Sequence, residues 1–231
     1  MHLHIANKLY SSWSLRPWLL MTALGIPFRE SVIPMYQSDT RERMLTVSPT
    51  GKMPSLVDGD VTVWESLAII EYLAEKFPTK GVWPNDAKAR AHARAASSEM
   101  HAGFQAFRQA CPMNLGKRFA PRSDLGSEVA DNVARLSQLW LEARNRFGRD
   151  GRFLYGAFSA ADAMFAPIVT RLDTYQIPVD PSVRGYMDAI LFHPAFTTWR
   201  EAAMTEPWTV PHYEAGWTAV HVFHRPQSGA R

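Results

Sequence analysis

The feature that most constrains this chain is a proline at the start of a short apolar strand, in the segment Gly51-Lys52-Met53-Pro54-Ser55-Leu56. Proline has no backbone N–H to donate to a sheet ladder, so it belongs at a strand's first position or at a bend. If the Met53–Pro54 bond is cis, the backbone of Met53 turns outward. Its N–H and C=O can then pair with an extended peptide as a further strand would.

A second segment points to the same kind of ligand. Glu65 and Ser66 precede a run of apolar residues at helical spacing, so they stand at the start of a predicted helix. The first turn of a helix offers free N–H groups and side chains that can hold an amine and a carboxylate. With the proline bend, this pair predicts a site for a small zwitterionic peptide.

The first 80 residues alternate between strand and helix patterns. The predicted order is a strand His2–Ala6, a helix Leu15–Leu24, a strand Phe28–Ile33, a short helix Thr40–Thr46, strands Ser55–Val57 and Val61–Val63, and a helix over residues 65–77. Asp58-Gly59-Asp60 between the last two strands is typical of a hairpin turn. A βαβ unit followed by ββα, with the proline opening the third strand, is the thioredoxin-like pattern.

The pattern changes after residues 80–85, which predict a linker. Beyond them the strand signal ends and apolar residues recur at helical spacing. We predict a long helix from Ala89 to Cys111, a second over Val129–Phe147, a third that begins at Ser159 in a capping box with Asp162, and shorter helices Ser182–Leu191 and Pro194–Met204. The sequence thus predicts a thioredoxin-like domain over residues 1–79 and an all-helical domain over residues 86–231 with an aromatic tail.

Composition disfavours several classes of function. The net charge is +3, without a basic run of about five residues, which argues against nucleic-acid binding. No stretch of about 18 apolar residues predicts a membrane span, and the first residues lack the pattern of a signal peptide. The single cysteine, Cys111, suits a reducing compartment, and the histidines lack the spacing of metal ligands. We therefore expect a cytoplasmic protein without a metal.

In this order and spacing, the motifs resemble the cytosolic glutathione transferase family over nearly the whole chain. Pro54 and Glu65-Ser66 stand where that family has its cis-proline and its γ-glutamyl site, and the box beginning at Ser159 resembles its sixth-helix capping motif. Ser11-Ser12-Trp13-Ser14-Leu15-Arg16 is similar to the Ser-Ser-Cys-Ser-x-Arg signature of the zeta class. Trp13 replaces the cysteine that serves maleylacetoacetate isomerase chemistry, so it counts against that reaction.

The resemblance implies that the protein activates glutathione as a thiolate, because the thiolate is the nucleophile. A hydroxyl donor and the positive end of a helix can both lower the pKa of the thiol. Ser11 and Ser12 directly precede the predicted helix and can supply both. The resemblance favours Ser11 as the donor, with Ser12 and Tyr10 as the alternatives.

The resemblance also implies the remaining contacts with glutathione. The backbone of Met53 would bind the cysteinyl unit, Lys52 would meet the glycyl carboxylate, and Glu65 with Ser66 would take the γ-glutamyl group. Both of these last residues are equally typical of a helix start without a ligand. The electrophile pocket is expected to draw on Met100, Phe104, Phe107, Arg108 and Met113, which also fit a core, and Cys111 is expected to be a buried structural thiol.

We therefore expect a homodimeric glutathione transferase that moves an alkyl or aryl group onto glutathione, a reaction of detoxification. Two alternatives stay open: a glutathione-dependent isomerase of the maleylacetoacetate type, and a non-catalytic binding protein with the same fold. A thiol–disulfide enzyme is disfavoured because the first helix has no cysteine at its start.

Overall fold

A four-stranded mixed sheet organises the first third of the chain in the computed structural model, which describes residues 1–149, 151–214 and 216–224. Its strands, in the order β2-β1-β3-β4, are β1 His2–Ile5, β2 Arg29–Val32, β3 Ser55–Asp58 and β4 Val61–Trp64. β1 runs parallel to β2 and antiparallel to β3, which forms a hairpin with β4. Gly59 takes φ +64° in the hairpin turn, a conformation that favours glycine.

Three helices accompany this sheet: α1 Ser12–Ala23, α2 Thr40–Leu45 and α3 Ser66–Lys76. α1 lies between the two halves of the molecule, since it contacts α3 on one side and helices of the second half on the other. For this reason its residues are buried nearly all round, including Leu15, Leu19 and Leu20. A helix enclosed in this way holds its N-terminus in one place relative to both halves.

The second half is mostly helical. Its helices are α4 Ala87–Ala102, α5 Gln105–Ala110, α6 Ser127–Ala143 with a π-helical turn Arg144–Gly148, α7 Ala160–Thr174, α8 Pro181–Leu191, α9 Pro194–Met204 and the short α10 Pro211–Glu214. The predicted capping box is present: the N–H and hydroxyl of Ser159 donate to Asp162 Oδ2 at 2.9 and 3.0 Å. No helix of the described residues has the length and apolar character needed to cross a bilayer.

The predicted long helix from Ala89 to Cys111 is wrong, because the structure divides it into α4 and α5. Phe104 adopts the left-handed conformation with φ +56°, and a Cβ on Gly103 would come within 2.8 Å of the Glu99 carbonyl oxygen. After this break α5 packs against α6. Apolar spacing continues through the break because both helices bury a face, so periodicity alone does not reveal it.

The structure also adds a two-stranded antiparallel sheet that the sequence pattern does not predict, formed by β5 Lys117–Phe119 and β6 Ala219–Val222. Such short strands carry too little alternation to be recognised. Their pairing attaches the aromatic tail to the helical half, and Trp217 packs on its core; residues 225–231 lie outside the described residues.

The predicted fold class is confirmed. The predicted domain limits at residues 79 and 86 stay a prediction, although α3 ends at Lys76 and α4 begins at Ala87.

Candidate functional site

A cleft of about 840 Å³ is lined by residues from both halves of the molecule. Its walls come from the start of α1, from the segments around Tyr36 and Met53, from α5, and from tail residues His212 and Tyr213. A smaller cavity of about 200 Å³ lies beside it and is lined by Pro54 and Glu65 among others. Trp13, Lys52 and Met53 line both spaces, so the two are neighbouring parts of one site.

Met53 and Pro54 lie directly before β3, and the peptide bond between them is cis. Both residues are buried, although Met53 reaches the wall of each cavity. Within the described part of the chain, neither the N–H nor the C=O of Met53 forms a hydrogen bond with another residue. Both groups are therefore available to a ligand.

The start of α3 lies at the smaller cavity. Glu65 holds φ +68°, a conformation that typically costs a non-glycine residue about 1–3 kcal/mol and persists where the surroundings enforce it. Ser66 is only 1% exposed, and its hydroxyl has no hydrogen-bond partner among the described residues. No side chain caps this helix. The first turn of α3 therefore presents an unused hydroxyl and free N–H groups.

The two serines at the start of α1 differ in their hydrogen bonds. The Ser11 hydroxyl donates to Ser14 Oγ at 2.8 Å and accepts weakly from the Ser14 N–H at 3.4 Å, so it acts as the N-cap. The Ser12 hydroxyl forms no hydrogen bond with any residue that the structure describes. Both serines line the cleft. Ser12 is thus the one whose hydroxyl can turn freely toward a ligand.

Tyr10 also lines the cleft, but its hydroxyl is engaged. It donates to Glu214 Oε1 at 2.6 Å, and Glu214 also accepts from Asn114 at 3.0 Å and pairs with Lys117. Burial, followed by the contact with Glu214, raises the pKa of the Tyr10 hydroxyl. Tyr10 therefore connects the start of α1 to the tail.

Trp13 occupies the junction of the two cavities between two arginines. The guanidinium carbon of Arg16 lies 4.1 Å from the centre of the indole ring, and that of Arg108 lies 5.3 Å away. Arg16 is completely buried and donates to the Ser12 and Met164 carbonyl oxygens at 2.9 and 3.0 Å. Burial, and then the nearby arginines, lower the pKa of Arg16. Its role is structural, since it holds the first turn of α1.

The cleft wall is cationic. Among the residues that line it, four carry a positive charge, and none is an aspartate or glutamate: Arg41, Lys52, Arg108 and Arg171. A wall of one sign attracts anionic small molecules.

The residues predicted for the electrophile pocket divide into two groups. Arg108 and Met113 line the cleft, whereas Met100, Phe104 and Phe107 are buried and do not reach it. Cys111 is fully buried and burial raises the pKa of its thiol to about 12, which agrees with a structural thiol. Within the described residues, no group of three His, Cys, Asp or Glu side chains is arranged for a metal.

The cleft-lining residues that sequence reasoning missed include Tyr36, Arg171, His212 and Tyr213. Tyr36 and His212 meet across it, with their side chains 3.1 Å apart. They are separated by 176 positions, so no local pattern links them. The positive φ of Tyr36, 59°, has no sequence signal either.

Comparison with known proteins supports one family. Residues 10–76 match a model described as the N-terminal domain of glutathione S-transferase, and residues 126–202 match the C-terminal domain of the same family.

Similar curated proteins and solved structures are consistent with the same family. A probable maleylacetoacetate isomerase from Caenorhabditis elegans is 36% identical over 102 residues, 42% of this chain and 47% of that protein. A dichloromethane dehalogenase from Methylorubrum extorquens is 44% identical over 66 residues, 27% of this chain and 23% of that protein. The chain thus matches about half the length of these curated relatives, or less.

The fold is also similar to a crystal structure of a glutathione transferase homologue from Burkholderia with bound glutathione. The TM-score is 0.68 at 20% identity, over 89% of this chain and 98% of that one. Two domain models of one family match in chain order and together span more than half of the residues, so the chain belongs to the glutathione S-transferase family.

Proposed function

We propose that this protein binds glutathione along the cleft, ionises its thiol and joins the thiolate sulfur to an electrophile. The observation that carries this proposal is a row of unused polar groups that extends from the cleft to the start of α3, whose N-cap residue Glu65 lines the smaller cavity. The Ser12 hydroxyl, the backbone of Met53 and the buried Ser66 hydroxyl all lack partners among the described residues. A tripeptide with a thiol, a backbone and a charged end requires such a row.

The γ-glutamyl end of glutathione fits the start of α3. Its carboxylate would accept from the Ser66 hydroxyl and the free N–H groups of the first turn, where the helix dipole favours an anion. Its ammonium would meet the Glu65 carboxylate. The cysteinyl unit would pair with the backbone of Met53, and Lys52, exposed at both cavities, would meet the glycyl carboxylate.

The thiolate would lie at the start of α1. Ser12 is the favoured donor, because the Ser11 hydroxyl is already committed to Ser14. The choice between the two serines remains part of the proposal. The N-terminal end of α1 and the cationic wall add positive potential, which lowers the pKa of a thiol. The thiol proton leaves to water, the sulfur lone pair forms the new C–S bond, and the leaving group departs with its bonding pair.

We also propose a cytoplasmic homodimer. The edge strand β4 exposes 42% of Val61 and 42% of Trp64, and a second copy of the chain would cover such apolar side chains.

A glutathione-dependent isomerase is the second candidate, favoured by the similarity to the Caenorhabditis elegans protein. In that reaction glutathione adds to the substrate and is released again, so free thiol is not consumed. Thiol titration during turnover distinguishes it from conjugation. A non-catalytic binding protein would bind glutathione without ionising its thiol.

The test of the thiolate site is the ultraviolet absorbance of bound glutathione as a function of pH. We expect Ser12→Ala to raise the apparent pKa of the bound thiol by about 1–2 units, because a hydrogen bond to a charged group is lost. Ser11→Ala should mainly reduce stability through the lost N-cap, by about 1 kcal/mol. The proposed serine mechanism is wrong if neither substitution moves the thiol pKa.

The test of the peptide site is glutathione affinity in Ser66→Ala. Ser97 supplies a matched control, since its hydroxyl is also buried and lacks a partner among the described residues. Ser66 directly follows Glu65, which lines the smaller cavity, whereas neither Ser97 nor its chain neighbours line either cavity. We expect Ser66→Ala to weaken binding about 5- to 10-fold and Ser97→Ala to leave it unchanged. Equal affinities in both variants would contradict the proposed γ-glutamyl contact.

A further inference from the structure

We infer that the electrophile taken by this cleft carries a carboxylate, which Arg108 and Arg171 hold in the helical half of the site. The inference rests on the proposed function, because it concerns the second substrate of the same reaction. Arg171 is buried and Arg108 is half-buried, and no acidic residue lines the cleft beside them.

Arg171 comes from α7 and is 5% exposed. Its Nε donates to the Cys111 carbonyl oxygen at 2.8 Å, and its Nη1 donates to the Pro167 carbonyl oxygen at 3.0 Å. Its Nη2 has no hydrogen-bond partner in the described part of the chain, and the residue lines the cleft. Two backbone contacts therefore hold the guanidinium rigidly while one donor nitrogen remains unused.

Arg108 comes from α5, the helix that begins after the break at Gly103 and Phe104. It is half-buried, and its guanidinium forms neither a hydrogen bond nor an ion pair with any described residue. The indole of Trp13, 5.3 Å from its guanidinium carbon, provides a flat surface for it. The cation is thus positioned and desolvated without a counter-charge from the protein.

Several other arginines of the described residues are paired with a carboxylate. Arg94, Arg135 and Arg184 each meet a carboxylate at 2.7–2.9 Å. Burying a cation is costly unless an anion or several acceptors compensate it. The cleft wall contains no aspartate or glutamate that could do so for Arg108 and Arg171. A bound anion would supply the missing charge.

The two cations also repel each other. The pKa of Arg171 is lowered to about 10, chiefly by burial, and the charge of Arg108 acts in the same direction. Burial alone lowers the pKa of Arg108. Both guanidinium groups still carry their charge at neutral pH. An anion between them would remove the repulsion together with part of the cost of desolvation.

Glutathione does not supply this anion in the proposed arrangement, because its two carboxylates lie at Lys52 and at the start of α3. The planar guanidinium of Arg108, with its donor nitrogens unused, matches the two oxygens of a carboxylate, and Nη2 of Arg171 offers one further donor. The anion therefore belongs to the second substrate, and a neutral electrophile would leave two desolvated cations uncompensated.

The test uses two synthetic reaction products that differ in one group. One is the conjugate formed when the glutathione sulfur displaces chloride from 4-chloro-3-nitrobenzoate: the C–S bond forms, the C–Cl bond breaks, and chloride leaves with the bonding pair. The other is the same conjugate with a carboxamide in place of the carboxylate. Calorimetric titration of each conjugate into the full-length protein measures binding without depending on turnover.

We expect the wild type to bind the carboxylate conjugate at least about 10-fold more tightly than the carboxamide. Arg108→Gln should remove most of this preference while leaving carboxamide affinity within about 3-fold of the wild type. Arg171→Lys, which keeps the charge but not the planar fork, should reduce the preference partly. Arg94→Gln is the matched control, since Arg94 lies over Trp83 at 5.6 Å outside the cleft, and it should keep the full preference.

Equal binding of the two conjugates by the wild type would overturn the inference, as would a preference that Arg108→Gln leaves intact. If the carboxamide conjugate and glutathione bind well in either case, the proposed function survives the failure of the inference. If neither conjugate nor glutathione binds, the proposed function fails, and the inference fails with it.

Discussion

Glu206 connects the end of the helical half to the loop that leads to the proposed thiolate donors Ser11 and Ser12, and replacing it by glutamine should disturb both stability and the site. Its Oε1 accepts from the Lys8 N–H at 2.7 Å, and its Oε2 accepts from the Leu9 N–H at 3.1 Å. Trp199 reinforces the same contact, because its indole N–H donates to the Lys8 carbonyl oxygen at 3.0 Å. The next residues along the chain lead directly to the start of α1.

The magnitude follows from the geometry. Glutamine has a single carbonyl oxygen, so Glu206→Gln leaves one of the two buried N–H groups facing an amide NH₂ instead of an acceptor. An unsatisfied buried donor costs about 1–3 kcal/mol. Burial raises the pKa of Glu206, which means that the ionised carboxylate is itself costly to bury, and the neutral amide recovers part of that cost. We expect a net loss of about 1–2 kcal/mol in the free energy of unfolding.

Urea unfolding measures the loss, and the pH dependence of the bound-thiol absorbance reports on the site. If the loop relaxes, the apparent pKa of the thiol should rise toward its value in free glutathione. Glu201→Gln is the matched control, since Glu201 is exposed on α9 and forms no hydrogen bond with a described residue. A Glu206→Gln protein that stays within about 0.5 kcal/mol of wild type, as surface substitutions do, would refute this reasoning.

Three further outcomes are expected. Burial raises the pKa of Asp162 from 3.8 to about 6, so the folded state favours the protonated carboxyl. The free energy of unfolding of the wild type, relative to that of Asp162→Asn, should therefore fall by up to about 3 kcal/mol between pH 4 and pH 7. A difference in urea unfolding that stays constant over this pH range would contradict the prediction. Cys111, fully buried with a pKa of about 12, should resist iodoacetamide at pH 8 until the protein is unfolded, and rapid native labelling seen by mass spectrometry would disprove its burial. Gly51→Ala should lower the free energy of unfolding by about 1–2 kcal/mol, slightly more than Gly59→Ala does. Both glycines have positive φ, but only a Cβ at Gly51 would meet another side chain, that of Leu45 at 3.3 Å. The reverse order in thermal or urea unfolding would show that this contact has no effect.

The segments proposed to hold glutathione could be recognised in the sequence because their signals are local. A serine pair before a helix, a proline at the start of a strand and a Glu-Ser pair before another helix each depend on a few adjacent residues. The structure brings these three segments to neighbouring cavities. The difference between Ser11 and Ser12 was not predictable, since it depends on the rotamer that lets Ser11 donate to Ser14.

The second half of the site depends on contacts between distant positions. The pattern from Ala89 to Cys111 predicted one helix, but the left-handed Phe104 redirects α5 and with it Arg108. Arg171 belongs to a helix that is buried on nearly every side, where sequence alone gives no reason to expect an unpaired cation. The tail contributes His212 and Tyr213, and it is held to the rest of the molecule by contacts with distant residues, among them the pairing of β6 with β5 and the hydrogen bond from Tyr10 to Glu214.

Sequence alone therefore determined the family resemblance, the element order of the first 80 residues and the residues proposed to hold glutathione, because caps, turns and apolar periodicity act over a few neighbouring residues. The tertiary structure alone decided which serine hydroxyl is unengaged, that two arginines share one cleft without an acidic partner, and that the tail closes part of its wall. These features depend on packing between segments far apart in the chain, where charge, burial and hydrogen bonding are set by neighbours that no local pattern identifies.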